Sequence, residues 1–396
     1  MNELLPVLDS HQTAHSSPDW VRISYASAVA LRFKSGRFTR DFDFGGINLL
    51  LSYDEGCLSD CGYCGLARTR PGQYEDKSFI RVEWPLVETD ELVRRMARHE
   101  DKLTRLCISM VTHGRAYGDT LDITRRIRQG VATPLSLLVA PPTLNESRLR
   151  NLKAAGADMI GIGLDAVTEE LFRSIRTDVP QGGLRWEKYW EIVNHARDIY
   201  GPWHVNCHTL VGLGETDRDL MDTYARLLDR QIHSYLFCFN PEPDSRMGSH
   251  PKSDLTRWRR IQLAKFLLEE RGLDRADFGF DDDGVLASIS APRGLVEETI
   301  ADGYAFMTNG CPGVGGEPGC TRPMGSWRPS ESPRDFPWLP TDSDLREIRA
   351  ELRLDEILRP GPGPTRPPEL CAPPVAGRPP KPNRANQFAI QEGLPS

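Results

Sequence analysis

The sequence predicts an α/β fold: a partial or complete (β/α) barrel of the TIM type, followed by a C-terminal extension and a disordered proline-rich tail. Three observations carry this expectation. From Ile47 onward, short β-rich runs alternate with longer amphipathic runs, the order that a parallel sheet with crossover helices requires. At 396 residues the chain is long enough for one such barrel plus appendages. Hydrophobic residues at 39% and charged residues at 27% suit a globular chain with a sizeable core.

The elements follow in order. Strands are expected at Ile47–Ser52, Arg105–Val111, Leu135–Ala140, Met159–Leu164, His204–Val211 and Tyr235–Asn240, with weaker ones at Asp277–Phe280 and Ala305–Thr308. Helices are expected at Thr89–Arg98, Thr120–Gln129, Asn145–Ala155, Arg185–Tyr200, Asp217–Arg230 and Leu255–Arg271. Asn145 reads as an N-cap, with Gly156 as the stop of the same helix. Residues 1–45 form a polar N-terminal extension with one helix-compatible piece, Tyr25–Arg32, and residues 46–310 form the barrel. Residues 311–358 form a cysteine-containing extension with a helix. Residues 359–396 hold too few large apolar side chains to offset their chain entropy, so they read as a disordered tail in which Cys371 is idle.

Charge and composition exclude several classes. Lys+Arg 49 against Asp+Glu 56 gives a net charge of −7, which argues against broad nucleic-acid binding. No apolar run approaches the roughly 18 residues of a membrane span. The first residues lack a basic segment followed by an apolar one, so a cytoplasmic protein is expected. Nine cysteines in a long chain without an export signal favour metal or redox chemistry over a disulfide scaffold.

The segment Cys57-Leu58-Ser59-Asp60-Cys61-Gly62-Tyr63-Cys64 follows the first expected strand directly, in a loop opened by Gly56. Three cysteines so spaced can curl around one compact inorganic centre and leave one metal corner open. Chance clustering and structural zinc are the competing readings, but zinc wants a fourth ligand at paired spacing and none is adjacent. The turn Gly212-Leu213-Gly214-Glu215-Thr216 closes the strand His204–Val211, and Asp165 closes Met159–Leu164. Both lie at strand C-terminal ends, where barrel sites form. The glycines Gly212 and Gly214 let backbone approach a ligand closely, and Asp165 either takes a hydroxyl of that ligand or caps the helix expected at Thr168–Arg176.

The C-x3-C-x2-C spacing with an aromatic residue before its last cysteine resembles the radical S-adenosylmethionine superfamily. The resemblance implies that Cys57, Cys61 and Cys64 hold a [4Fe–4S] cluster and that S-adenosylmethionine binds its open iron. Reductive cleavage then gives a 5′-deoxyadenosyl radical. The resemblance also implies adenine contact by Tyr63, whose alternative is loop packing, and a cofactor role for Glu215. The Gly-Gly-Glu segment frequent after the second strand is replaced by Thr112-His113-Gly114-Arg115.

Within the superfamily, Gly46–Pro85 and Tyr189–Arg322 resemble the biotin synthase/lipoyl synthase-like branch, and most of all the two-component lipoyl synthases. Cys107 and Cys207 parallel barrel cysteines of that branch, while the third strand has none. Thr308–Gly313 with Gly319–Pro323 is similar to a Cys-Pro-Gly-Cys element, lengthened here between Cys311 and Cys320. The resemblance implies a second iron–sulfur cluster that donates sulfur, with Cys311, Cys320 and Cys107 first and Cys207 next as its ligands. Inert core packing is the competing reading for Cys107, Cys207 and Cys238. Along the strand, Asn206 and His208 alternate with Cys207, so only one set points inward. Arg257, Arg259 and Arg260 read as a solvated face or as a contact to a carboxylate or cluster.

Lipoyl formation from an octanoyl chain is therefore the expected activity. It implies an octanoyl carrier protein or lipoyl-domain substrate, a second radical enzyme subunit and a low-potential electron donor. A radical enzyme without sulfur transfer and a non-turnover iron–sulfur subunit are the rivals.

Overall fold

The computed structural model describes residues 15–177, 184–320 and 331–373. In chain order the strands are β1 Trp20–Ile23, β2 Gly46–Leu51, β3 Asp60–Cys61, β4 Leu86–Glu88, β5 Arg105–Ser109, β6 Leu135–Val139 and β7 Met159–Asp165. They continue as β8 Arg176–Thr177, β9 Val205–Val211, β10 His233–Cys238, β11 Phe278–Phe280, β12 Leu286–Ser290 and β13 Leu358–Arg359. The main sheet runs β10-β9-β7-β6-β5-β2-β1-β4. Its first six members are mutually parallel, whereas β1 pairs antiparallel with both β2 and β4.

All six strong strand expectations are parallel members of this sheet, and helices cross between them. The result is a partial barrel of TIM type. Asn145 does cap the helix Glu146–Ala154, its side chain accepting from the Arg148 N–H at 2.9 Å. Two weaker expectations are corrected. Phe278–Phe280 is a strand but belongs to a separate sheet with β12 and β13. Ala305–Thr308 lies around a short 3₁₀ turn, Tyr304–Phe306, so it adds no barrel strand. The N-terminal extension supplies a strand that the sequence reading missed: β1 is too short and too weakly patterned to signal itself, yet its Val21 and Ile23 are fully buried against β2.

Side-chain alternation divides each barrel strand between two environments. Outward positions such as Leu49, Ile108, Leu137, Ile160 and Ile162 pack under the crossover helices in the principal apolar core. A second core surrounds the helix Leu255–Glu269 and joins it to Val296, Ile300 and Phe306 and to Ile348 and Leu352 of the C-terminal extension. Arg259 of that helix is buried, not solvated, and donates to Glu351 and to the carbonyls of Pro333 and Arg334. The tail expected to be disordered begins with ordered chain, for the Ala372 N–H donates to the Glu269 carbonyl at 2.7 Å; residues 374–396 lie outside the described residues. Among the described residues, no helix is long and apolar enough to cross a membrane.

Candidate active site

The loop after β2 is fixed by backbone hydrogen bonds at several points. The Leu58 N–H donates to the Thr112 carbonyl at 2.8 Å, Gly62 to Ile175 at 2.7 Å, Cys64 to Cys61 at 3.0 Å and Arg68 to Ser59 at 3.0 Å. Asp60 accepts from the Thr69 N–H at 3.0 Å and from its hydroxyl at 2.7 Å. Gly56 turns the chain with φ +68°, and a side chain there would collide with the Tyr74 ring. This frame brings Cys57, Cys61 and Cys64 to one wall of a cavity of about 260 Å³ at the C-terminal ends of the barrel strands.

All three cysteines are free thiols. Burial pushes the Cys57 and Cys64 thiols up, and the neighbouring cysteines push the same way, so bringing three sulfurs together is unfavourable unless a cation joins them. Among the described residues, no three His, Cys, Asp or Glu side chains close on a point that a single metal ion would occupy. The three cysteines line one cavity together. Soft thiolate donors on an accessible cavity suit an iron–sulfur cluster.

Asp165 stands across the cavity from this loop. The sheet register slips between Gly163 and Asp165, and Asp165 adopts φ 59°, a left-handed conformation that aspartate tolerates better than most side chains. Its carboxylate accepts from the Tyr63 hydroxyl and lies 3.6 Å from Arg176. Arg176 donates in turn to the Gly163 and Leu164 carbonyls at 2.5 and 3.0 Å and to the Tyr189 hydroxyl at 3.0 Å. Helix capping is not the task of Asp165, because Thr168 caps Glu169–Ile175 through the Leu171 N–H. Tyr63, Asp165, Arg176 and Tyr189 all line the cavity, and the last two carried no signal in the sequence.

The turn at Gly212–Glu215 is corrected. None of Gly212, Gly214 and Glu215 lines the cavity. The glycines serve backbone conformation, with φ +107° and +126°. Glu215 is wholly occupied: its carboxylate accepts from the Gly212 and Leu213 N–H groups at 2.8 and 2.9 Å and from Arg257 at 2.8 Å. Arg257 is therefore a brace for this turn. At Thr112–Arg115, His113 is fully buried, stacked on Tyr53 at 3.9 Å, and burial lowers its pKa to about 4. It is a neutral packing group at ordinary pH. Glu242, from the loop after β10, lines the cavity and accepts from the Ser78 hydroxyl at 2.7 Å and the Arg81 N–H at 2.6 Å.

The remaining cysteines separate by face. Cys207 is fully buried on the outer side of β9, beneath Arg226, and shares that side with Thr209, which meets Tyr224 of the helix Asp217–Asp229 at 3.2 Å. Asn206 and His208 are the inward set, so Cys207 cannot ligate anything in the lumen. Cys107 points inward, between Arg105, which reaches the loop carbonyl of Pro312, and Ser109, which lines the cavity. Its register neighbours are Asn48 and Ser136. Cys311 and Cys320 arrive from the opposite end of the barrel from the first trio. The loop that carries them lies against the strand starts: Thr104 donates to the Gly319 carbonyl at 3.1 Å, and Asn206 Nδ2 donates to Cys311 Sγ at 3.5 Å. Cys320 Sγ lies 3.9 Å from Asn48 Oδ1. Phe237 both lines the cavity and packs against the group formed by Met159, Tyr235 and Cys311. Phe237 thus links the cavity to the group that holds Cys311.

Comparison with known proteins agrees with this geometry. A model of the radical SAM superfamily matches residues 52–227. The chain is 24% identical to the biotin synthase of Acinetobacter calcoaceticus over 227 residues, 56% of this chain and 65% of that protein. It is 26% identical to the biotin synthase of Methylococcus capsulatus over 210 residues, 51% of this chain and 60% of that protein. Both matches span less than two thirds of the relative. Among solved structures, the FeFe-hydrogenase maturase HydG from Carboxydothermus hydrogenoformans is similar at 15% identity and a TM-score of 0.40, covering 61% of this chain and 55% of that one. Proteins of the superfamily use a [4Fe–4S] cluster together with S-adenosylmethionine, and with its cysteine loop on the cavity and Asp165 opposite, the chain carries a radical SAM superfamily domain.

Proposed function

We propose that the chain activates an unreactive C–H bond and inserts sulfur there, the specific reaction being lipoyl formation on an octanoyl chain. In this reading Cys57, Cys61 and Cys64 hold the [4Fe–4S] cluster that binds S-adenosylmethionine, and Cys107, Cys311 and Cys320 hold a second iron–sulfur cluster. The observation that carries it is the entry of two cysteine groups into one barrel lumen from opposite ends, with Phe237 touching both the cavity and the cluster of Cys311. The likeness to biotin synthases supports sulfur insertion as the reaction class. When bound, these groups supply a 5′-deoxyadenosyl radical that takes a hydrogen atom, and a sulfide for the carbon left behind.

The chain's own residues do the rest. Asp165, steadied by Arg176, would hold the ribose hydroxyls, and Tyr63 beside it would contact the adenine. Leu138, Leu210 and Phe237 give the cavity the apolar wall that an alkyl chain needs and keep water from a reactive carbon. The reaction requires a low-potential electron donor and an acyl chain presented by a carrier protein or lipoyl domain; a second radical enzyme subunit fits the same scheme.

Mass spectrometry after anaerobic incubation with an octanoylated lipoyl-domain peptide, S-adenosylmethionine and reductant tests the reading. A mass gain from sulfur is expected. Release of 5′-deoxyadenosine with no sulfur in any product, from protein that holds one cluster, would instead make this a radical enzyme without sulfur transfer.

A further inference from the structure

The interior of a (β/α) barrel is ordinarily filled by branched apolar side chains. At the strand starts of this barrel it is polar: Asn48, Arg105, Ser136, Asn206 and Tyr235 all face the cysteine-bearing loop. Their donors converge on one sulfur. Asn206 Nδ2 donates to Cys311 Sγ at 3.5 Å, and the hydroxyls of Ser136 and Tyr235 face the same atom. The Ser136 hydroxyl accepts from Arg105 at 2.7 Å, which leaves its proton for the sulfur. Arg105 is itself fixed by a two-pronged pair with Asp158 at 2.9 and 2.8 Å, donates to the Pro312 carbonyl beside Cys311, and lies close enough for its charge to act on that sulfur. Asn206 Oδ1 and the Tyr235 hydroxyl are buried with no hydrogen-bond partner of good geometry among the described residues. Orphaned polar atoms in a floor that could have been apolar mark a place built for a charged guest.

We propose that Arg105, Ser136, Asn206 and Tyr235 are positioning residues that cradle the Cys311 sulfur as a ligand of the second cluster and set that cluster's reduction potential. The inference rests on the second-cluster reading above. A hydrogen bond to a ligand sulfur stabilises the extra negative charge of the reduced cluster, so each donor raises the potential.

The test compares anaerobically reconstituted wild type with Tyr235→Phe, which removes one hydroxyl, and Asn206→Ala. Iron and sulfide are counted, and both clusters are followed by redox titration with electron paramagnetic resonance. The expected result is two clusters in every protein, with the second cluster's midpoint moved to more negative potential in both variants and the Cys57–Cys64 cluster unmoved. The unmoved first cluster doubles as the control for folding. Two clusters with both midpoints unchanged overturn the cradle while leaving the second cluster standing. A single cluster in wild type, with iron unaffected by Cys311→Ala, removes the second cluster and the cradle together.

Discussion

The two ends of the barrel solve the same problem, the collection of sulfur donors, in opposite ways. At the C-terminal rim, three cysteines lie within eight consecutive residues of one loop, and their backbone is held by neighbouring carbonyls. At the floor, Cys311 and Cys320 come from a loop far along the chain, Cys107 from a strand, and the polar side chains around them from that strand and four further ones. The rim loop faces an open cavity, whereas the floor is sealed by packing. A centre that must admit a cofactor needs a mouth. In the proposed reaction, a centre that gives up an atom to a trapped radical needs enclosure.

The comparison can be broken or sharpened by mutation. The largest effect is expected from Cys57→Ala, Cys61→Ala or Cys64→Ala. Without the rim centre the enzyme loses its radical source, and with it an acceleration on the order of 10⁶-fold or more. Release of 5′-deoxyadenosine, measured by chromatography under reducing conditions, then falls to background; near-normal release from any of the three would end the assignment of the rim. Next comes Cys311→Ser, for which sulfur incorporation disappears and iron content drops while 5′-deoxyadenosine release persists. Equal loss of both products would mean that rim and floor do not act separately.

Asp165→Asn is expected to be milder. The exchange weakens the hold of a carboxylate on ribose hydroxyls, a charged hydrogen bond whose loss reduces S-adenosylmethionine affinity about 10- to 100-fold. Calorimetric titration of cluster-loaded protein reads this directly, and an unchanged affinity would leave Asp165 as a partner of Arg176 alone. The smallest effect belongs to Cys207→Ala. Because Cys207 sits on the outer face of β9, iron content stays at the wild-type value and stability falls by about 1 kcal/mol in urea denaturation. Cys107→Ala, at an inward position of β5, is by contrast expected to lower the iron count.

Much of this was legible in advance, and the failures share a cause. The six parallel strands and their crossover helices announce themselves through local periodicity, and the helix ends through local caps. The rim trio is equally local. Glu215 misled because a glycine turn with an acid at a strand end looks the same whether the acid faces a ligand or its own backbone; here it faces the backbone. Cys207 misled because a strand's period of two allows either face, and only the packing of Thr209 on Tyr224 chooses. Arg176 and Tyr189 carried no pattern, since each reaches the cavity from a segment whose direction depends on its neighbours.

The sequence by itself determined the alternation of strands and helices, the cysteine spacing of the rim and the end of the strands at which it would sit, because these depend on contacts a few residues long. Tertiary structure alone decided that β1 joins the sheet, that Asn206 and not Cys207 looks into the lumen, and that Cys311 and Cys320 enter from below. Those outcomes depend on which surfaces of distant segments exclude water together, and no local spacing encodes that.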